Sequence, residues 1–195
     1  MNGNGLARKI TTMAMFAAAS IVLVYLIRFP FFAAAPFLEY DPANIPILIA
    51  TYLFGPSTGL MLTFVVSVIQ GITVSAQSGI IGIAMHIFAT GSFVLSAGMI
   101  YNRKRSFSGL VVSAICGTLA MTVAMILWNL IFTPLFMGTP IDTVAKMLVP
   151  IIIPFNLLKG SINAFIAVVM YKMLSTKGVF KEDKTARNRS NNLDI

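Results

Sequence analysis

Apolar residues run along this chain in long stretches broken by short polar segments, at about 9–28, 44–54, 57–76, 79–101, 108–132 and 148–174. Most are close to the roughly 20 residues a helix needs to cross a hydrocarbon layer about 30 Å thick, and they are too continuous for the alternation of a barrel strand. The pattern predicts an all-α membrane bundle of six helices. The second is short: Ile45 to Phe54 precedes the turn Gly55-Pro56-Ser57-Thr58-Gly59. It spans if Asp41 to Asn44 and the turn lie in the interfacial layers or if protein covers it, and a re-entrant element is the competing reading.

Basic residues orient the bundle. With the N-terminus inside, Arg8, Lys9, Arg103, Lys104, Arg105, Lys172, Lys177, Lys181, Lys184, Arg187 and Arg189 share one side, and only Arg28 and Lys146 fall on the other. Short loops rich in Lys and Arg stay in the cytoplasm, so both termini are expected there, in the cell membrane of a prokaryote. This asymmetry also accounts for the net charge of +8 without a nucleic-acid partner. Residues 1–175 read as one transmembrane domain and 176–195 as a basic, disordered cytoplasmic tail. The first apolar run, although followed by Ala33-Ala34-Ala35, is long enough to be a helix rather than a cleaved signal.

Composition agrees with this picture: 57% of residues are hydrophobic and 10% charged, against about a quarter charged in soluble domains. The single cysteine, Cys116, excludes an intrachain disulfide and a metal site built on cysteines. There is no phosphate-binding loop for ATP hydrolysis. No intramembrane carboxylate is available for ion coupling, and no nucleophile–base pair stands out, so the chain reads as neither an enzyme nor a self-sufficient pump.

Polar side chains within the spans carry the functional signal, because each is costly in hydrocarbon. Gln70, His86, Asn129, Asn156 and Lys159 fall at one depth, in the outer half. Asn156, Lys159 and Asn163 share a helix face. The other half holds small residues suited to close packing, so a cavity open outward and sealed inward is expected. Asn129 and Gln70 could equally serve as interhelical hydrogen bonds, and His86 as a packing residue. Lys159 must find an acceptor, and no Asp or Glu lies within a predicted span, which points to a polar acceptor on a bound substrate. The loop from Phe29 to Pro46, rich in proline and phenylalanine, reads as a lid or as an aromatic belt at the membrane surface.

The segment Phe37-Leu-Glu-Tyr-Asp-Pro-Ala-Asn-Ile-Pro46, the stretch Leu127-Trp-Asn-Leu130 leading to Thr133-Pro134, and Pro154-Phe-Asn-Leu-Leu-Lys-Gly160 together resemble the riboflavin-specific S component of energy-coupling factor (ECF) transporters. The resemblance covers nearly the whole chain except the basic tail. It implies a membrane subunit that takes riboflavin as transported ligand, with no resident cofactor or metal. Its partners would be a transmembrane coupling protein and two cytoplasmic ATPases. Carried over by position, Asn129, Asn156 and Lys159 would hydrogen-bond riboflavin, and Leu38, Glu39, Tyr40 and Asp41 would cover it. Ala14 and Ala18 match the AxxxA pattern where the coupling protein docks. From the residues alone, Ala14, Ala17, Ala18 and Ser20 form a smooth surface that an intramolecular seam could also use. An S component for another vitamin, a stand-alone secondary transporter and an intramembrane enzyme built on His86 and Lys159 are the alternatives.

Overall fold

A computed structural model describes residues 3–33 and 35–176. Ala34 and the tail lysines and arginines from Lys177 onward lie outside the described residues. Six helices follow in order: α1 Gly3–Leu26, α2 Asn44–Phe54, α3 Pro56–Ile72, α4 Gly79–Arg103, α5 Phe107–Met137 and α6 Ile141–Thr176. The first, fourth, fifth and sixth are long and apolar enough to cross a membrane. Two-residue strands, β1 Phe29–Pro30 and β2 Glu39–Tyr40, pair antiparallel in the α1–α2 loop.

The short second helix is explained by its surroundings. Asn44 through Tyr52 are all buried, enclosed by α1, α3, α4 and α6. With no lipid contact to satisfy, about 16 Å of helix is enough. Gly55, at φ 92°, ends α2 in a conformation that a side chain would strain, and Pro56 opens α3 in the position where its missing N–H costs nothing.

Three boundaries differ from the pattern-based expectation. The third helix stops at Ile72 rather than 76, because the chain enters a 3₁₀ turn, Ala76–Ser78, that leads into α4. The fifth continues past 132 through Pro134 to Met137, where Gly138 caps it in the left-handed conformation; a proline in the last turn removes one backbone bond without ending the helix. The sixth begins at Ile141, not 148, and passes through a π turn, Leu148–Ile152, that accommodates Pro150.

Side-chain contacts define the two ends of the bundle. At one, Lys9 lies over the Phe54 ring and Lys172 over that of Phe107; with Arg8, Arg103, Lys104 and Arg105 this is the basic end. At the other, the α1–α2 loop folds back over the helices. Ala35 and Leu38 are buried there against Val144, Ile152 and Phe155 of α6, with Phe31, Phe32 and Phe37 packed around them. The phenylalanines therefore fold inward as a second small core, as a lid would, and Phe29 is the exposed one of the four.

Close packing seals the half nearer the basic end. A Cβ on Gly98 would sit 2.8 Å from Thr51 and 2.9 Å from Pro56, and one on Gly117 would sit 2.6 Å from the ring of Phe93. Small residues were expected to form this seal; three tyrosines complete it. Tyr52, Tyr101 and Tyr171 are buried with ring centroids 5.2–5.6 Å apart, and the Tyr101 and Tyr171 hydroxyls lie 3.0 Å from each other. Because Phe93 is fully buried and cannot swing away, Gly117→Ala is expected to destabilise the protein by about 1–3 kcal/mol through overpacking. The check is thermal unfolding in detergent.

Candidate substrate-binding site

A cavity opens at the loop end, between the folded-back loop and α3, α4, α5 and α6. Its lining includes Leu38, Glu39, Asp41, Gln70, His86, Asn156 and Lys159. Seven of the nine residues expected at a binding site are thus brought together. Apolar lining comes from Phe37, Ile81, Ile83, Met85, Met121, Met125, Phe136 and Phe155, which suits a flat, largely apolar body with polar edges.

The remaining two face elsewhere. Asn129 is fully buried and spends its side chain on α5 itself: its amide donates to the Met125 carbonyl at 2.7 Å and its oxygen accepts from Thr133 Oγ1 at 2.8 Å. Thr133, one turn on, lines the cavity in its place. Tyr40 turns into the bundle, and its hydroxyl donates to Asn163 Oδ1 at 2.9 Å.

Lys159 finds its partner outside the spans. Its ammonium donates to Asp41 Oδ2 at 2.6 Å and to the Glu39 carbonyl at 3.3 Å. The expectation that no carboxylate pairs with it held for the helices alone; the loop supplies Asp41. Asp41 also accepts from the Ala43 backbone N–H at 3.1 Å, and its own carbonyl accepts from Asn163 Nδ2 at 3.0 Å. Burial pushes the Asp41 carboxyl up, but the adjacent Lys159 ammonium and these hydrogen bonds outweigh it and hold the pKa below its ordinary value. Two members of the shared face, Lys159 and Asn163, therefore clamp the loop; both asparagines of the face are buried, and Asn156 lines the cavity while its amide donates to the Ile152 carbonyl of the π turn. An ammonium has three hydrogens. Two are committed to the loop, which leaves one for a ligand.

A second clasp holds the mouth. Arg28, just past α1, bonds the Glu39 carboxylate, with Nε 2.5 Å from Oε2, and also donates to the Val74 carbonyl beyond α3. The sequence showed Arg28 only as an outlying charge; its partners, 11 and 46 residues away, left no local signal. Asn44 and Thr90 were also missed. Thr90 donates to Asn44 Oδ1 at 2.8 Å, and both line the cavity.

The family model of the ECF transporter substrate-specific component matches residues 8–171. The chain belongs to this family. It is 28% identical over 174 residues to the riboflavin transporter RibU of Staphylococcus aureus (strain TCH60), covering 86% of this chain and 90% of that one. It is 29% identical over 161 residues to the riboflavin transporter FmnP of Bacillus subtilis (strain 168), covering 78% and 84%. A solved structure of the S component of a bacterial ECF transporter superposes with a TM-score of 0.74 at 30% identity, over 88% of this chain and 97% of that one. The S component for biotin from an ECF-type ABC transporter superposes at 0.59 with 19% identity, over 88% and 95%, and shares the fold.

In this S component the α1 surface divides cleanly. Met13, Phe16 and Ala17 pack inward and Val24 is fully buried, and buried Ser20 donates to the Ala43 carbonyl at 3.0 Å. Ala17 and Ser20 thus belong to an intramolecular seam, the alternative use expected for these small residues. Ala14 and Ala18 are exposed, one helical turn apart.

Proposed function

We propose that this S component captures riboflavin from outside the cell in the loop-end cavity and delivers it inward with a transmembrane coupling protein and two cytoplasmic ATPases. The observation that carries the reading is the cavity itself: one uncommitted Lys159 hydrogen and the polar edges of Asn156, Gln70 and His86 surround an apolar interior, beneath a loop held by two ion pairs. The relatives named as riboflavin transporters supply the ligand's identity.

The orientation rests on charge. Arg8, Lys9, Arg103, Lys104, Arg105 and Lys172 gather at the basic end, while the described carboxylates, Glu39, Asp41 and Asp142, belong to the loop end. Cytoplasmic retention of basic loops turns the cavity outward. Ala14 and Ala18 offer a side-chain-poor strip on which a helix of the coupling protein can approach closely.

The protein purified in detergent from cells grown with riboflavin is expected to be yellow, with a flavin absorption band that follows it through gel filtration. A colourless protein that also fails to take up added riboflavin would overturn the flavin reading.

A further inference from the structure

Two buried hydrogen-bonding atoms on the α3–α4 wall of the cavity have no partner among the described residues: His86 Nε2 and Gln70 Oε1. Their chemical character follows from their neighbours. Ser67 Oγ lies 2.6 Å from the Thr63 carbonyl and 2.7 Å from His86 Nδ1. A carbonyl can only accept, so the single serine hydrogen goes to Thr63, and the contact with His86 requires Nδ1 to carry the ring hydrogen. Among the described residues neither ring nitrogen hydrogen-bonds a carboxylate that would hold a second ring proton, and Nε2 is left as a bare acceptor. Gln70 is 7% exposed, and its amide nitrogen donates to Ser75 Oγ at 3.4 Å, which leaves its oxygen as a second acceptor. Gln70 and Ser67 lie one turn apart on α3, and Gln70, Ser67, Ser75 and His86 all line the cavity.

A buried acceptor without a donor is costly, and two on one wall of a binding cavity call for donors from the ligand. We infer that His86 Nε2 and Gln70 Oε1 form an acceptor pair that takes two hydroxyl hydrogens from the ribityl chain of the flavin, setting specificity for a polyhydroxylated substituent. The inference rests on the flavin reading above. The isoalloxazine ring carries one N–H donor; the chain carries four hydroxyls, and it alone supplies two donors side by side. The wall therefore selects the chain, and the methionines and phenylalanines of the cavity are left for the ring.

Riboflavin and lumiflavin, which has a methyl group in place of the chain, would be titrated into wild type, Gln70→Leu and His86→Phe. Both substitutions remove an unpaired acceptor while Ser67 keeps its bond to Thr63, so both variants are expected to fold, with thermal melting as the check. Each should bind riboflavin about tenfold more weakly and lumiflavin as wild type does or more tightly. Equal losses for both flavins, or no loss for either, would overturn the assignment. Flavins lacking single ribityl hydroxyls, tested on the unaltered protein, give a second measure: two such analogues should each lose about tenfold in affinity, and uniform binding across the set would overturn the pair. A wild-type protein that binds neither flavin would overturn the flavin reading itself, and the ribityl assignment with it.

Discussion

Replacing Lys159 with Met is expected to lower riboflavin affinity at least a hundredfold. Asp41 is 4% exposed, and its Oδ2 lies 2.6 Å from the ammonium. Removing one member of a buried ion pair costs about 3–5 kcal/mol of stability, because the remaining charge is left uncompensated; a ligand that binds only beneath the closed loop must offset that cost, and about 2.7 kcal/mol of it is a hundredfold in affinity. The carboxylate would take up a proton or draw residues 38–41 toward water, and either response disturbs the loop that covers the cavity. The same substitution also removes the one ammonium hydrogen left for the ligand. The paired variant Asp41→Asn/Lys159→Met separates these effects. Thermal stability should recover most of the way toward wild type, and riboflavin affinity should stay low. Equilibrium titration beside thermal melting checks both. Unchanged affinity in Lys159→Met would show that the ammonium holds neither loop nor ligand.

The second large effect is expected at the proposed docking surface on α1. Ala14→Trp and Ala18→Trp should each reduce riboflavin uptake by cells to background while leaving binding by the purified protein within about twofold of wild type. Both positions point out of the bundle, so an indole there leaves the seam of Met13, Phe16, Ala17, Ser20 and Val24 untouched. Transmembrane helices associate through small residues that let backbones approach, and an indole holds a partner helix away. Uptake that survives both substitutions would remove α1 as the docking surface.

Much of the architecture was legible in the chain. Length and continuity of the apolar runs gave six helices, because the hydrocarbon thickness leaves few ways to arrange such runs. The polar residues of the spans located the cavity for a similar reason: Gln70, His86, Asn156 and Lys159 would each be expensive facing lipid, and the fold turns all four inward.

Tertiary fold-back was hidden. Asp41 and Lys159 are 118 residues apart, and a search for counter-charges confined to the helices overlooks a loop that re-enters the bundle. Tyr40 and Asn129 show a related limit. Their types and depth suit a ligand, and each nonetheless spends its polar group within the protein, on Asn163 and on Met125 and Thr133. The expected end of the fifth span at 132 and start of the sixth at 148 fell short of helices that run on through Pro134 and begin ahead of Pro150. The first sits in the last turn of α5, where little is lost, and the second lies within a π turn. The acceptor character of His86 could not be read from sequence at all, since it depends on Ser67 having already given its hydrogen to Thr63.

Capture of riboflavin in the loop-end cavity can be read by calorimetric titration of riboflavin into the detergent-purified wild-type protein, repeated with Lys159→Met. Saturation at one riboflavin per chain in wild type, with affinity lowered at least a hundredfold in the variant, is the expected result. Wild-type protein that is folded and ligand-free yet gives no saturable binding, or a variant that binds as tightly as wild type, would contradict capture of riboflavin in the loop-end cavity.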